Sequence, residues 1–451
     1  MSQLDEAIAR YHKILESEPY RNLAWANELQ AQMEAEHLSF GGRLICPFLR
    51  PHFITRRQYD SLVKTGEILI SAVDRMQQMV LDNPALLSQL ELLPAEKMLA
   101  AIDPGYKNLE VACRLDSHLT NGSLRLVQYN ADSPTGVAWA DSLSELFYTA
   151  GPVKEFRKRF PLTKVGGKKH LLSALLATYR QFGGRGKPKI AILEFRPSFA
   201  STTSEFELFR DYFRKEGCEA EIVSPDQLEF KNDVLRRGNF EINLVYRRVS
   251  VQEFLQRFDL SHPLVQAYRA RAVCMANSFR SELAHKKTMF ALLTDEAITA
   301  KFPAAERNAI REHVPWTRVV AAGKTTYHGR KIDLQEYILK HRDKLVLKPN
   351  DDYTGQGSFF GWEMNDESWE RALRQALRQP YVAQEKVEPA RSEFPVRSDS
   401  GLEFREMRVD VYPQAYLGRI LSCSSWLSWG STSGLSASAG LAPTFILDGS
   451  K

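Results

Sequence analysis

The stretch that decides the fold prediction is Leu345-Val346-Leu347-Lys348-Pro349-Asn350-Asp351-Asp352-Tyr353-Thr354-Gly355-Gln356-Gly357-Ser358. Its first residues are apolar and predict a buried strand, which delivers Lys348 into a turn that contains two glycines. Glycine lets the backbone approach phosphate oxygens closely, and an ammonium group at the strand end neutralises their charge. The stretch therefore indicates a nucleotide-phosphate site, although a β-hairpin turn with a surface lysine gives the same pattern.

Length and charge narrow the class of protein. The chain has 451 residues, of which 43% are hydrophobic and 25% charged, so two or three domains with a sizeable core are expected. Its 60 lysines and arginines are interspersed with 55 acids, and a formal net charge of +5 is mild. We therefore do not expect nucleic acid as a partner, and we interpret local basic stretches such as 154–169 and Arg247-Arg248 as solvated faces.

The cysteines and the N-terminus indicate a cytoplasmic protein. The five cysteines stand far apart without a C-x-x-C pair, which argues against a zinc cluster or a disulfide framework. The first ten residues are polar and acidic, and no run approaches 18 apolar residues, so neither a signal peptide nor a membrane segment is predicted. A reducing cytosol is the expected compartment.

The spacing of apolar residues indicates two units in the first part of the chain. Apolar residues recur every three or four positions over 5–36 and 57–81, which predicts helices in an N-terminal region spanning 1–105. Two short strands are expected at 109–115 and 124–129, joined around Asn121-Gly122, a strong hairpin signal.

A pattern of alternating strands and helices follows the hairpin. Strands are predicted at 189–195, 219–223 and 242–249, and a helix at 204–215 carries Phe206, Phe209 and Phe213 on one face. A crossover helix between the first two strands favours parallel pairing. We assign 106–275 to the hairpin and this α/β unit.

The remainder, 276–451, is predicted to be the nucleotide-binding region. Helices are expected near 286–293 and 333–340, before the Lys348 stretch. The Ser- and Gly-rich composition of 422–440 predicts a turn-rich, mobile edge.

Polar residues on the predicted hairpin indicate a metal site. Strand alternation puts Arg114 and Asp116 on one face and Gln128 and Asn130 likewise, so four polar side chains converge across one strand pair. Carboxylate and amide oxygens suit Mg²⁺, which binds few protein ligands together with substrate phosphates and water. A plain exposed polar face of a hairpin would explain the same residues.

Three further stretches give weaker signals and belong with the Lys348 stretch and the hairpin. Residues 381–387 form a short strand that breaks into polar residues and could present backbone groups to an adenine edge. His285-Lys286-Lys287 opens a helix and could place a second cation on the phosphates. Residues 403–410 predict a strand of alternating charge.

Together these stretches resemble the circularly permuted ATP-grasp proteins, and they are similar to glutathionylspermidine synthetase and its uncharacterised bacterial relatives. The resemblance covers residues 114–447 and is strongest at 345–353, at 244–249, at Asn277-Ser278-Phe279-Arg280 and at His285-Lys286-Lys287. It implies an α/β (α+β) ATP-grasp fold with a Rossmann-like preATP-grasp domain. The permuted order implies that the magnesium-site residues precede the glycine loop.

The resemblance also implies residue roles, with ATP and Mg²⁺ as cofactors. Lys287 and Lys348 would hold the ATP phosphates, and magnesium would be held by Asp116, Gln128 and Asn130. Gly355, Gln356 and Gly357 would line the glycine loop. Gln384, Glu385 and Val387 would contact the nucleoside. Arg114 and Arg280 are our candidates for orienting a carboxylate or acyl phosphate, because a guanidinium fork matches these groups. Surface salt bridges are the alternative role for both arginines.

Three departures from the family pattern put catalysis in doubt. Gln128 stands where the family has glutamate, which removes an anionic metal ligand. Thr354 stands in the loop where another glycine is expected, and a Cβ there restricts the approach of phosphate. Near the C-terminus, a family arginine, asparagine and glycine triplet correspond to Trp426, Gly434 and Ser438-Ala439-Gly440, so a phosphate cation and a second amide ligand are missing.

Two functions are compatible with these motifs. The first is an ATP-dependent ligase that joins a small-molecule carboxylate to an amine or thiol through an acyl phosphate, a reaction that depends on positioning and charge neutralisation. The second is a degenerate ATP-grasp scaffold that binds nucleotide, or serves as a partner subunit of a ligase. No membrane partner is expected. The motifs leave open whether the chain forms a homo-oligomer.

Overall fold

The structure is a computed structural model that describes residues 2–120, 122–195, 203–351, 357–430 and 439–449. Its N-terminal part is helical, as predicted. The elements of this part are α1 (Gln3–Glu16), α2 (Ala24–Ala35), β1 (Ser39–Phe40), β2 (Arg43–Leu44), β3 (His52–Thr55), α3 (Arg56–Asp82), α4 (Pro84–Gln89) and α5 (Pro94–Ala100).

Helix α3 anchors this N-terminal part in the core. It begins at a capping box, in which the Thr55 side chain accepts from the Gln58 backbone and the Gln58 side chain accepts from the Thr55 backbone. Its buried apolar residues recur every three or four positions and include Leu62, Leu69, Val73, Met76 and Val80. This stripe packs against the other elements of the main hydrophobic core. Within the described residues, no helix has both the length and the apolar character needed to cross a bilayer.

The middle part contains the predicted hairpin and the α/β unit. Its elements are β4 (Ala112–Thr120), β5 (Ser123–Asn130), α6 (Val137–Thr149), α7 (Gly151–Arg157), β6 (Leu162–Lys164), α8 (Lys168–Gln181), β7 (Ile190–Leu193), α9 (Thr203–Lys215), β8 (Ala220–Val223), β9 (Glu229–Lys231), β10 (Val234–Arg237), β11 (Phe240–Glu241), β12 (Leu244–Arg247), α10 (Val251–Arg257), α11 (Pro263–Arg269) and β13 (Cys274–Ala276).

The α/β unit has a parallel sheet in the order β13-β12-β7-β8, which confirms the predicted parallel pairing. Every residue of β7 and β12 is buried, as expected for strands covered on both faces. Phe206, Phe209 and Phe213 of α9 are buried against this sheet, as predicted. The antiparallel sheet β11-β10-β9 was not predicted from the sequence, because its strands are only two to four residues long.

The C-terminal part contains the Lys348 strand and two further sheets. Its elements are α12 (Glu282–His285), α13 (Thr288–Leu293), α14 (Glu296–Thr299), α15 (Ala304–His313), β14 (Thr317–Val319), β15 (Lys324–Tyr327), β16 (Arg330–Asp333), α16 (Leu334–Lys340), β17 (Leu345–Pro349), β18 (Phe359–Phe360), α17 (Asp366–Ala376), β19 (Tyr381–Glu385), β20 (Ala390–Ser398), β21 (Gly401–Tyr416), β22 (Arg419–Ser428) and β23 (Ala439–Leu447).

The Lys348 strand lies inside a four-stranded antiparallel sheet ordered β14-β19-β17-β18. Leu345 and Leu347 pack on one face of the sheet with Trp369 of α17 and Ile338 of α16. Strand alternation therefore turns Lys348 to the opposite face. This directs its ammonium group away from the apolar layer.

Among the described residues, the largest sheet has eight strands and pairs a strand of the N-terminal part with strands of the C-terminal part. Its order is β3-β23-β22-β21-β4-β5, with β20 paired to β21 and β6 paired to β23. Strands from each of the predicted ranges 1–105, 106–275 and 276–451 contribute to it, and the division of the chain into these domains stays a prediction.

The prediction of a turn-rich, mobile edge over 422–440 is wrong for residues 422–428 and 439–440, which lie in strands. Residues 422–428 belong to β22, which lies between β21 and β23. The serines form buried hydrogen bonds, since Ser422 Oγ donates to Gln414 Oε1 (2.6 Å) and Ser425 Oγ lies 2.7 Å from Thr444 Oγ1. Composition alone suggested loops, whereas paired hydroxyl groups satisfy a polar layer inside the sheet.

Candidate functional site

The predicted hairpin exists and brings its four polar residues together. In the β4–β5 register Arg114 lies opposite Asn130 and Asp116 lies opposite Gln128. The Arg114 guanidinium donates to both Asp116 oxygens, with Nε 2.6 Å from Oδ1 and the second nitrogen 2.9 Å from Oδ2. Asn130 Nδ2 donates to Asp116 Oδ2 (2.6 Å), and Gln128 Nε2 donates to Asn130 Oδ1 (3.1 Å). The four side chains thus form one continuous network.

This network is not an exposed polar face. The side chains of Arg114 and Asp116 are 12% and 14% exposed, and Asn130 is buried. Burial raises the pKa of Asp116, and the charge of Arg114 opposes that rise. The structure therefore contradicts the simple alternative of a solvated hairpin.

The end of the Lys348 strand lies against this hairpin. Lys348 Nζ donates to Gln384 Oε1 on β19 (2.7 Å) and lies 3.5 Å from the backbone oxygen of Val127, next to Gln128. Lys287 and Gln384 line a narrow cavity together with Val127, Gln128 and Tyr129 of the hairpin. Two distant parts of the sequence, the hairpin and the end of the Lys348 strand, thus share one site.

Cations dominate the environment of Lys348. Burial, together with the positive charges of Lys287 and Arg408, lowers the pKa of Lys348 to about 7, and the charge of Asp116 opposes this shift. A cluster of this kind attracts a polyanion, because phosphate oxygens relieve the repulsion between neighbouring cations. The pKa of Lys348 is therefore an electrostatic sign of an anion-binding site.

Strand β21 adds charged residues from the predicted strand 403–410, to which the sequence analysis assigned no individual role. Arg408 Nε lies 3.1 Å from Asp410 Oδ1, and His118 Nδ1 of β4 lies 2.9 Å from the same oxygen. Burial acts to raise the pKa of Asp410, but hydrogen bonding from His118 and the charge of Arg408 hold it below its ordinary value. The ring of Tyr412 lies 4.6 Å from the Arg114 guanidinium carbon. The alternating charges of residues 403–410 were the available signal, but only the pairing of β21 with β4 shows which of them face the hairpin.

The donor set of the hairpin fits a magnesium ion. Asp116 offers a carboxylate, and Gln128 and Asn130 offer amide oxygens, all from adjacent positions on one strand pair. Hard oxygen donors in small number, completed by phosphates and water, are what Mg²⁺ prefers. Because Arg114 and Asn130 hydrogen-bond to the Asp116 oxygens, metal binding would require part of this network to rearrange.

The residues predicted to contact the nucleoside lie at one end of β19. Gln384 is buried and bonded to Lys348, as described above. Glu385 Oε1 accepts from the Tyr327 hydroxyl group (2.5 Å), so its side chain is already engaged. Val387 follows the strand and is half-buried. Gln384 is thus the residue that contacts Lys348, and Glu385 and Val387 follow it closely in sequence. The role of the three residues toward a nucleoside stays a prediction.

Only part of the glycine loop lies within the described residues. Gly357 has φ +77°, and a Cβ there would lie 3.3 Å from Pro349 Cγ and from the Tyr381 hydroxyl oxygen. This position therefore favours glycine on both conformational and steric grounds. Gly355, Gln356 and Thr354 lie outside the described residues, as do Gly434 and Ser438 of the C-terminal comparison. Trp426 is buried and lies opposite Asp410 in the β21–β22 register.

Arg280 contacts a different element. Its Nε donates to the backbone oxygen of Ala100 at the end of α5 (3.1 Å). Arg114, in contrast, lies in the hairpin network and also donates to the Thr135 backbone oxygen (2.9 Å). Among the contacts of the described residues, none joins Arg280 to the hairpin, so the two candidate arginines are not brought together.

Arg247 and Arg248 are buried rather than solvated. Arg247 pairs with Asp132, and both side chains are at most 1% exposed. Arg248 lies 3.7 Å from Glu205, whose Oε1 accepts from the Gly136 backbone N–H (2.7 Å) at the start of α6. These pairs connect the parallel sheet to the segment that follows the hairpin.

A cavity of about 690 Å³ lies elsewhere, beside the edge strand β14. It is lined by Arg318, Arg311 and Trp316, among others, and by none of the predicted site residues. We place the functional site at the hairpin rather than in this cavity, because the hairpin combines buried charges, oxygen ligands and a lysine of lowered pKa.

Comparisons with known proteins concern the sequence and the fold of the chain. No model of a known protein family matches the chain. A putative glutamate–cysteine ligase from Frankia casuarinae is 24% identical over 311 residues, which cover 66% of this chain and 33% of the relative. The matched region thus spans about a third of the length of that relative.

Two solved structures that align with the chain differ in how well their folds agree with it. A glutathione synthetase-like effector from Globodera pallida, in its apo form, aligns with a TM-score of 0.60 and 14% identity over 96% of this chain and 99% of the effector. A putative gamma-glutamylcysteine synthetase from Methylobacillus flagellatus aligns over 86% of each chain at 10% identity, and its TM-score of 0.39 is too low to support a shared fold. We conclude that the chain has a mixed α/β fold similar to that of the glutathione synthetase-like effector.

Proposed function

We propose that the chain is an ATP-dependent ligase that joins a small-molecule carboxylate to an amine or thiol. The observation that carries this proposal is the contact between the Lys348 strand and the Asp116 hairpin, which gathers cations and oxygen ligands in one place. The likeness in fold to a glutathione synthetase-like effector and the partial match to a putative glutamate–cysteine ligase support it.

The residues suit the first chemical step. A carboxylate oxygen of the substrate attacks the γ-phosphorus of ATP, which forms an acyl phosphate and releases ADP. Lys287, Lys348 and Arg408 would neutralise the negative charge that develops on the transferred phosphoryl group. Arg114 is the candidate for holding the carboxylate, because its guanidinium fork, which contacts Asp116 at two points, would be released when Asp116 turns to the metal.

The second step requires positioning more than a protein nucleophile. An amine nitrogen attacks the acyl carbon, loses a proton and expels inorganic phosphate, so the products are an amide, ADP and phosphate. Bound Mg²⁺ would supply charge neutralisation of the phosphates, and Asp116, Gln128 and Asn130 are the residues that would hold it. The finer proposal is a glutathionylspermidine synthetase-like substrate pair, in which a peptide carboxylate is joined to a polyamine.

A second candidate function is a scaffold that binds nucleotide without turnover. The observation that favours it is Gln128, a neutral amide at a position of the network where a carboxylate would bind metal more strongly. Trp426, the apolar residue opposite Asp410, is consistent with the loss of a phosphate cation there.

One experiment separates the two functions. The purified chain is incubated with ATP, Mg²⁺ and a panel of amino acids, polyamines and short peptides, and ADP and phosphate are measured. Substrate-dependent release of both products supports the ligase. Thermal stabilisation by ATP with no product supports the scaffold, because a ligand of the folded state raises its stability by mass action. Absence of both responses contradicts both proposals.

A further inference from the structure

The segment before Lys287 contains a buried ammonium group surrounded by carboxylates. Lys286 Nζ lies 2.9 Å from Glu96 Oε1, 2.9 Å from Glu282 Oε1 and 2.6 Å from Asp351 Oδ2. The Lys286 side chain is 3% exposed, and those of Glu96, Glu282 and Asp351 are 0%, 1% and 14% exposed. We call these four residues the Lys286 cluster.

The cluster joins three parts of the chain that are far apart in sequence. Glu96 belongs to α5 of the N-terminal part, Glu282 to α12, and Asp351 follows Lys348 by three residues. Glu96 is also fixed locally, because its second oxygen accepts from the Leu93 backbone N–H (2.8 Å). One lysine thus links the N-terminal helices to the beginning of the glycine-containing turn.

Charge balance makes the Lys286 ammonium essential to the cluster. Carboxyl oxygens of Glu96, Glu282 and Asp351 lie within 4.8 Å of one another, a spacing that is unfavourable for buried anions without a cation. Burial acts to lower the pKa of Lys286, yet the carboxylates around it hold that pKa above its ordinary value. Lys286 therefore supplies the positive charge at the centre of these three carboxyl groups.

Backbone contacts beside the cluster connect it to the phosphate lysines. The Lys287 backbone N–H donates to the Asn350 backbone oxygen (3.1 Å), and the Thr288 N–H donates to Asn350 Oδ1 (3.0 Å). Asn350 Nδ2 and Thr288 Oγ1 both donate to the backbone oxygen of Leu90, at 2.9 and 3.2 Å. Asn350 lies two residues after Lys348, so Lys287 and Lys348 are fixed relative to each other and to the N-terminal helices.

We propose that Glu96, Lys286 and Asp351 are positioning residues that set the spacing of Lys287 and Lys348 for nucleotide phosphates. This inference rests on the proposed function of the site. It makes the N-terminal helices part of the nucleotide site, although none of their residues was selected from the sequence. A positioning role is distinct from a general packing role because it acts on ligand affinity and not only on the free energy of unfolding.

The test compares Glu96→Gln with a matched control. Glu306 is also a buried carboxylate in an ion pair, 2.8 Å from Arg75 Nε, and this pair joins α15 to α3. Calorimetry measures the dissociation constant of a non-hydrolysable ATP analogue with Mg²⁺, and thermal unfolding is measured in parallel. We expect Glu96→Gln to weaken binding by about tenfold, an ordinary coupling between neighbouring sites, while Glu306→Gln lowers the unfolding temperature without weakening binding.

Substitutions of Lys286 provide a rescue test. Lys286→Arg keeps a cation among the carboxylates and should retain most of the affinity for the analogue, whereas Lys286→Met should lose it. A readout without nucleotide is the amide hydrogen exchange of Lys287 and Thr288, whose N–H groups bond to Asn350. We expect Glu96→Gln to accelerate exchange at these two amides and Glu306→Gln to leave them unchanged.

The outcomes distinguish this inference from the proposed function. If the parent chain binds the analogue and Glu96→Gln binds it within about twofold, the positioning role is wrong and the proposed function stands. If the parent chain binds no analogue at all, the proposed function is wrong, and this inference, which depends on it, is wrong as well. Equal losses of affinity in Glu96→Gln and Glu306→Gln would show a general effect of stability and would also overturn the inference.

Discussion

Lys348 Nζ lies 2.7 Å from Gln384 Oε1, across the strand pair that joins β17 to β19. Gln384 is neutral, so this bond orients the lysine without pairing its charge. Burial and the nearby charges of Lys287 and Arg408 lower the pKa of Lys348 to about 7. The free protein therefore loses this proton near neutral pH, although ordinary lysines keep theirs to about pH 10.

Nucleotide binding should therefore take up a proton at Lys348. Phosphate oxygens favour the ammonium form, so the bound state has a higher pKa than the free state, and affinity should fall by up to about tenfold per pH unit above pH 7. Calorimetry with an ATP analogue in buffers of different ionisation enthalpy measures this uptake. Lys348→Met should abolish both the uptake and most of the affinity, whereas Lys344→Met, at an exposed position before the same strand, should change neither.

The same pKa predicts the opposite trend for stability without nucleotide. Between about pH 7 and pH 10 the unfolded chain keeps a proton that folded Lys348 has lost, so the contribution of this residue to stability rises with pH across that window. Urea unfolding of the parent and Lys348→Met proteins at several pH values measures the difference. If the difference in the free energy of unfolding between the two proteins did not change with pH, Lys348 would have an ordinary pKa.

A second prediction concerns the metal ligands. Gln128 lies opposite Asp116 in the β4–β5 register, so Gln128→Glu places a second carboxylate beside the first. Without metal the two anions repel and the variant should unfold at a lower temperature than the parent. Mg²⁺ should reverse this loss and bind about tenfold more tightly, equivalent to about 1.4 kcal/mol.

Titration of thermal stability with Mg²⁺, in the presence of an ATP analogue, checks this second prediction. Gln128→Leu is the matched control, since it removes the amide oxygen and adds no charge. It should weaken the response to Mg²⁺. An identical response in the two variants would exclude residue 128 from the metal site.

A third prediction concerns Arg408, the cation on β21. It contributes to the lowered pKa of Lys348 and lies 3.1 Å from Asp410. Arg408→Met should raise the pKa of Lys348, because one repelling charge is gone, and should weaken the binding of an ATP analogue. Arg405→Met removes an exposed arginine three residues earlier on the same strand and should have neither effect. Equal affinities in both variants would place Arg408 outside the phosphate site.

Elements whose signals are local could be predicted from the sequence. The hairpin of β4 and β5, the parallel pairing of β7 and β8, and the Lys348 strand all follow from periodicity and turn residues within short windows. Convergence of Arg114 and Asp116 with Gln128 and Asn130 does not follow from the turn and strand alternation alone. A regular register counted from Thr120 opposite Ser123 would place Asp116 opposite Val127, whereas a register shift between Asp116 and Ser117 brings it opposite Gln128.

Features that depend on long-range pairing could not be predicted. Arg408 and Asp410 join the site only because β21 pairs with β4, and Glu96 joins Lys286 across 190 residues of sequence. Residues 422–428 looked like a loop because serine is frequent in turns, yet here buried hydroxyl groups bond across strands. Arg247 and Arg248 looked solvated because their partners Asp132 and Glu205 lie far away in sequence.

A final prediction concerns Asn277, which holds the hairpin to the parallel sheet. Its Oδ1 accepts from the backbone N–H groups of Val111 (2.7 Å) and Ala112 (3.0 Å). Its Nδ2 donates to the backbone oxygens of Ala112 (2.6 Å) and Ala131. Asn277→Ala leaves these buried groups without their partner and should lower the free energy of unfolding by about 3 kcal/mol.

The matched control is Asn243→Ala, which removes a bond from the Lys189 backbone N–H (2.9 Å) just before the central strands β7 and β12 of the same sheet and should cost about 1 kcal/mol. Urea unfolding measures both values. Because Asn277 holds the start of β4 and the segment after β5, its loss should also loosen the hairpin that carries Asp116 and weaken the binding of an ATP analogue. A variant that is destabilised by about 3 kcal/mol but binds the analogue with parental affinity would show that the hairpin keeps its geometry without this anchor.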